Sequence, residues 1–143
     1  MAFTNDRLNA IFDRTSGRCH ICHERVVFKN YGALGARGAW EVEHSNPRAR
    51  GGTNRLTNLY PACISCNRSK GAMSTRYARA AHGKYRAPVS VFRCSMLRRE
   101  NALLAAVTSA VIAKAVHPSA TTSWLAATAL FGAMVGHEYK PEE

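Results

Sequence analysis

Apolar side chains change their spacing along this 143-residue chain. Leu8, Ile11 and Phe12 fall three and four residues apart, the interval that lines one face of a helix. Thr4 or Asn5 offers a cap before them and Gly17 a stop after them. Residues 24–39 read as a mixed insert: Val26-Val27-Phe28 suits a short strand, while Gly32, Gly35 and Gly38 suit a loose loop. Trp40-Glu41-Val42-Glu43-His44 alternates apolar and polar, the pattern of a half-buried strand. A long loop over 45–57 follows, broken by Pro47 and Gly51-Gly52, and Asn58-Leu59-Tyr60 reads as a second strand. A helix is expected from Ile64 to about residue 82, weakened at Gly71 and closed at Gly83. Pro88 fits the first turn of another helix that reaches about Val116. His117-Pro118 breaks it, and a final helix spans Ser123 to His137.

Charge divides the chain. Residues 1–99 carry 18 basic and 5 acidic side chains, whereas residues 100–143 carry 2 and 4. The expectation is a basic domain over 1–84, then a basic linker helix and an apolar two-helix appendage over 85–143. A net charge of +11 makes a polyanion the default partner and argues against fatty-acid binding or cation buffering. The apolar runs at 102–116 and 124–136 are 15 and 13 residues long. A membrane-spanning helix needs about 20. A helical hairpin that packs on the basic domain, or pairs with a second copy, is therefore expected. Gly132 and Gly136 form a G-x-x-x-G that favours close helix contact. The competing readings are docking to a larger regulatory partner and a membrane-associated hairpin with Arg93, Arg98 and Arg99 on the cytoplasmic side. The opening residues lack a basic segment followed by an apolar one, so a secretory signal is not expected and a cytoplasmic location is.

Cysteine spacing brings in specific chemistry. Cys19-His20-Ile21-Cys22 and Cys63-Ile64-Ser65-Cys66 are two C-x-x-C pairs, and Cys94 is left over. An odd count in a reducing compartment argues against a disulfide framework. Two intervening residues let both thiolates of a pair turn toward one ion, and two pairs close a tetrahedral structural zinc site. His20 and His23 are alternative ligands, but four thiolates are the simpler set, so both histidines read as flanking surface residues. Cys94 reads as a small buried hydrophobe.

Three segments then combine: Glu41-Val42-Glu43-His44, the stretch Gly51-Gly52-Thr53-Asn54-Arg55-Leu56-Thr57-Asn58-Leu59, and Cys63-Ile64-Ser65-Cys66-Asn67-Arg68-Ser69-Lys70-Gly71. Phosphodiester hydrolysis needs a base for water, a cation for the phosphoryl oxygens and a stabilised leaving group. His44 suits the base, since imidazole is partly neutral at working pH, provided an acceptor holds its second nitrogen. Asn67 is too weak a base, but its carbonyl oxygen suits a hard cation. In this order and spacing, over about residues 7–75, the segments resemble the HNH endonuclease family. The core of that family is a β-hairpin followed by a helix around one divalent metal.

The resemblance implies an α+β fold: a zinc-clamped ββα-metal core with four cysteine ligands, followed here by the apolar hairpin. It implies metal-dependent hydrolysis of DNA, leaving 5′-phosphate and 3′-hydroxyl ends. His44 would activate water, Asn58 would brace the loop presenting it, and Glu43, His44 and Asn67 would form the site of Mg²⁺ or another divalent cation. Zn²⁺ on Cys19, Cys22, Cys63 and Cys66 would clamp the core without reacting. The signature reads His-Asn-Asn, and Glu43 stands where Asp is commoner. Adjacent strand residues face opposite ways, so Glu43 and His44 share a metal only if the strand ends or bulges there, and Glu41 is the reserve acid. Arg48, Arg50, Arg55, Arg68, Lys70, Arg76 and Arg79 are the expected contacts to DNA phosphates, with low sequence specificity. A non-catalytic zinc module that binds DNA is the alternative. It accounts for the cysteines and the charge, but not for His44, Asn58 and Asn67 together.

Overall fold

The computed structural model describes residues 3–138. Its contacts separate the chain into two compact units, 1–91 and 92–143.

The first unit opens with helix α1, Asn5–Phe12, where Thr4 Oγ1 accepts from the Arg7 amide at 3.4 Å. The chain reverses through Ser16 and Gly17, both with positive φ. A Cβ on Gly17 would lie 2.8 Å from the Phe12 ring, so the turn needs glycine for space as well as conformation. Arg18 and Arg25 then pair in an isolated bridge that closes the first Cys-x-x-Cys turn. The expected strand over Val26–Phe28 does not form. Val27 donates only to Gly38 O, at 2.9 Å, and Phe28–Asn30 tightens into a 3₁₀ turn. That turn brings the Phe28 ring edge-on to Phe12, and its carbonyl accepts from Trp40 Nε1 at 3.2 Å.

Strand β1, Trp40–His44, pairs antiparallel with β2, Leu59–Cys63, in the register Trp40↔Cys63 to His44↔Leu59. The second strand therefore lies C-terminal to its expected position. Asn58 ends a 3₁₀ turn over Leu56–Asn58, and its side chain is used by the loop. Pro61 is tolerated because a two-stranded sheet leaves one edge of each strand unpaired. Its carbonyl accepts from the His20 amide at 2.9 Å, tying the cysteine turn to β2.

Helix α2 covers only Ile64–Lys70, ending at Gly71 with φ 49° and ψ −124°. Helix α3, Thr75–Ala80, starts afresh where Ser74 Oγ accepts from the Tyr77 amide at 3.2 Å. The expected single helix to residue 82 is thus two: Gly71 stops the first and Ser74 caps the second. The core is small, built from Leu8, Ile11, Cys19, Ile21, Val26, Trp40, Leu59, Ala62, Cys66 and Ala78. Two of its members are cysteines of the paired motifs, so the core and the cysteine site are continuous.

In the second unit, α4 spans Val91–Val116 and α5 spans Thr122–Glu138. A Cβ on Gly132 would lie 2.5 Å from Ala105 O, and one on Gly136 2.6 Å from Asn101 O. The G-x-x-x-G therefore lets α5 rest directly on the backbone of α4, and the expected hairpin forms. Leu103, Leu104, Val107, Val111, Leu130 and Phe131 stay exposed. Cys94, expected to be buried, is half-buried on α4. Among the described residues, no helix is long and apolar enough to cross a membrane.

Candidate active site

The four paired cysteines converge. Their sulfurs lie within 4.8 Å of one another, and Cys22 Sγ is 3.8 Å from Cys63 Sγ. Zinc–sulfur bonds of about 2.3 Å in a tetrahedron place sulfurs about 3.8 Å apart, so the set fits that ion. Crowding makes the thiols share protons. Hydrogen bonds from Cys22, Cys63 and Cys66 hold Cys19 well below the usual thiol range, while Cys19 pushes Cys63 and Cys66 up. A divalent cation held by Cys19, Cys22, Cys63 and Cys66 would relieve this competition by taking thiolates. The Ile21 amide points at Cys19 Sγ from 3.4 Å, and His82 Nε2 lies 3.9 Å from Cys66 Sγ.

The two histidines beside the first pair are not surface residues. His23 is buried, with Nε2 3.0 Å from Arg86 O. His20 is fully buried and stacks on Tyr60. Arg79 Nη2 reaches His20 Nδ1 at 2.9 Å, and Arg79 Nε donates to His20 O at 2.8 Å. A guanidinium only donates, so Nδ1 accepts and the ring proton sits on Nε2. Nε2 lies 2.7 Å from Glu43 Oε2, in close electrostatic contact with the carboxylate. Burial lowers the pKa of His20 against the opposing pull of Glu43, consistent with this neutral form.

Glu43 is correspondingly occupied. Its other oxygen, Oε1, takes the ammonium of Lys70 at 2.6 Å, and both side chains are buried. Burial pushes the Glu43 carboxyl up, but His20 and Lys70 outweigh it and hold the group below its ordinary value. Glu43, expected to share a metal with His44, thus spends both oxygens inside the fold, because strand alternation turns it toward α2. The acid that reaches Asn67 is the reserve candidate. Glu41 Oε2 accepts from Asn67 Nδ2 at 2.9 Å, and Arg68 Nη2 lies 3.5 Å from Oε1.

Two expected phosphate contacts are withdrawn as well. Lys70 is inside, and Arg79, half-buried, is committed to His20. Arg48, Arg50, Arg55, Arg68 and Arg76 are exposed.

His44 closes β1 and is fixed from several directions. Lys70 Nζ donates to His44 O at 3.2 Å, and Thr75 Oγ1 donates to Ser45 O at 2.8 Å. The Ser45 amide donates to Asn58 O at 2.8 Å. The Asn58 side chain completes the brace: Oδ1 accepts from the Asn46 amide at 2.7 Å, while Nδ2 donates to Asn46 O at 3.1 Å and Thr53 O at 2.9 Å. Gly52 passes so close that a Cβ would sit 1.8 Å from Asn46 O, which explains the Gly-Gly pair. Helix α1 and the 3₁₀ turn after it, Asp13–Thr15, fasten the far side of the loop: Arg7 donates to Asn54 O, and Arg14 to the carbonyls of Leu56 and Leu59 and, at 2.7 Å, to Tyr60 Oη. The ring of His44 meets one residue that sequence reasoning left without a role: Nε2 is 2.8 Å from Asn54 Oδ1. The only sequence signal for Asn54 was its place in the Gly-Gly-Thr-Asn stretch.

No curated protein and no solved structure matches the chain. A family model described as HNH endonuclease matches residues 19–73, from Cys19 to just past α2. That segment holds the hairpin, the helix after it and the four-cysteine site, and it is similar to the HNH endonuclease family.

Proposed function

We propose that this protein is a metal-dependent endonuclease that hydrolyses DNA phosphodiester bonds, with His44 as general base. The observation that carries the reading is the brace around His44. The Asn58 side chain makes three hydrogen bonds to the loop, and Lys70 and Thr75 hold the carbonyls of His44 and Ser45. A histidine that merely packed would need no such fixing. Proton transfer to a positioned imidazole gains from it, because the reacting nitrogen must sit within hydrogen-bond reach of one water.

The second element is the pair Glu41 and Asn67. A carboxylate and an amide carbonyl oxygen are hard donors, the chemistry that suits Mg²⁺ or a similar ion. A divalent ion held there would neutralise charge on the phosphoryl oxygens and on the leaving 3′ oxygen. His44 takes a proton from water, the water oxygen bonds to phosphorus, the P–O3′ bond breaks, and the departing O3′ takes a proton from solvent, leaving 5′-phosphate and 3′-hydroxyl ends. Glu43 stands behind the strand as an internal counter-charge to Lys70. The exposed arginines Arg48, Arg50, Arg55, Arg68 and Arg76 offer contacts to phosphates, which position a duplex without reading its sequence.

Plasmid cleavage by the purified chain tests this, with Mg²⁺, Mn²⁺ or EDTA and beside His44→Ala. Metal-dependent nicking that vanishes in the variant is the expected result. Salt-sensitive DNA binding with no cleavage under any metal would establish the non-catalytic zinc module instead. In the same assay Glu41→Gln should lose activity that raised Mg²⁺ partly restores. Glu43→Gln should lose folded protein.

A further inference from the structure

Resting on the assignment of His44 as base, we infer that Asn54 is the positioning residue that sets its tautomer and aim. His44 Nε2 and Asn54 Oδ1 are 2.8 Å apart. A carboxamide oxygen can only accept, so the imidazole proton is on Nε2 and the lone pair is on Nδ1. Nδ1 is then the atom that receives the proton from water. An acceptor on the far nitrogen also stabilises the imidazolium formed when that proton arrives, because Nε2–H becomes a stronger donor as the ring gains charge.

Asn54 can do this because its own backbone is held on both sides. Arg7 from α1 donates to Asn54 O. The preceding carbonyl, Thr53 O, accepts from Asn58 Nδ2 at 2.9 Å. The amide is half-buried and lies ten residues from its histidine, across the loop that Gly52 lets close against Asn46. Asn58 and Asn54 therefore divide the work. Asn58 shapes the loop without touching the ring, and Asn54 transmits that shape to the ring. Glu43 cannot serve instead, since both its oxygens are committed to Lys70 and His20.

The test uses the full zinc-loaded chain with Asn54→Ala and Asn54→Asp. Uniform ¹⁵N labelling resolves the imidazole nitrogens, and the His44→Ala spectrum identifies the His44 signals. The expected wild-type result, at a pH where His44 is neutral, is a protonated Nε2 with a one-bond N–H correlation and an unprotonated Nδ1. Asn54→Ala should lose that correlation to solvent exchange. It should lower kcat about 10- to 100-fold, with the KM for DNA unchanged. Asn54→Asp keeps an acceptor and should keep both the correlation and most of kcat. A wild-type ring protonated on Nδ1 would overturn the inference, as would Asn54→Ala with unchanged kcat. If the wild-type chain cuts no DNA, the spectra still decide whether Asn54 sets the tautomer, so failure of the nuclease reading is seen separately.

Discussion

The two units solve the same problem by opposite means. The first has a small apolar core, and it places inside itself His20, Glu43 and Lys70, groups that ordinarily stay in water. Each is matched: His20 to Arg79 and Glu43, Glu43 to Lys70, Lys70 to the carbonyl of His44. The second has an abundance of apolar side chains and leaves many of them exposed, holding its helices together where glycine replaces a side chain. The lesson concerns directionality. Hydrophobic contact tolerates many arrangements, while a buried ion pair with hydrogen bonds accepts very few. The unit that braces His44 is built from the restrictive kind.

If the four cysteines hold zinc, as their spacing suits, its removal should separate the two units most sharply. A four-cysteine site contributes roughly 10–16 kcal/mol of binding free energy to folding. Chelation, or Cys63→Ser, should therefore unfold the first unit while α4 and α5 keep their helical circular dichroism. Loss of helical signal from both units in one transition would break the contrast.

Next in size is the buried pair. Lys70→Met leaves Glu43 with an uncompensated charge and frees the carbonyl of His44, at an expected cost of about 3–5 kcal/mol. Thermal denaturation measures it. Lys70→Met combined with Glu43→Gln should recover part of the loss, since the stranded charge is then gone. A double variant as unstable as the single one would show that Lys70 acts mainly through His44.

The hairpin should respond to bulk and not to charge. Gly136→Leu pushes a side chain into Asn101 O and Ala105, an overpacking expected to cost about 1–3 kcal/mol. Nuclease activity should be unchanged, and near-ultraviolet signals from Trp124 on α5 should report the change.

The smallest effect is expected at the exposed arginines. Arg48→Ala, Arg50→Ala and Arg55→Ala should each reduce the salt dependence of DNA binding by about one phosphate contact, with no change in melting temperature. Lys70→Met or Arg79→Ala should instead register in stability, since these two cations face inward.

What the sequence revealed follows the range of the interactions. The cysteine pairs were legible because two residues of spacing make a local geometry, and β1 because alternation is local. The capping of α1 by Thr4 was legible for the same reason. The fate of Lys70 and Arg79 was not: a positive side chain looks alike whether it faces water or a carboxylate. Arg79 finds His20 59 residues away. His20 and His23 were misread on the same ground, since polarity suggests exposure until a partner is known. The split between α2 and α3 was encoded in Gly71 and Ser74, but Gly71 reads from sequence alone as a weak point within one helix and not as its end. Asn58 was legible only through the family resemblance, and Asn54 needed the closed loop.

The staples from Arg7 and Arg14 have a consequence for anyone seeking the smallest working fragment of this protein. The segment that matches the family begins at residue 19, after α1 has ended. Yet the carbonyls of Asn54, Leu56 and Leu59 are gripped by two arginines upstream of that point. Trimming the chain to its recognisable portion would keep every residue named in the signature and discard the clasp that keeps their loop in shape. The boundary of evolutionary similarity and the boundary of mechanical integrity are different places on this polypeptide. A fragment for crystallography or for grafting into another scaffold should be cut by the second.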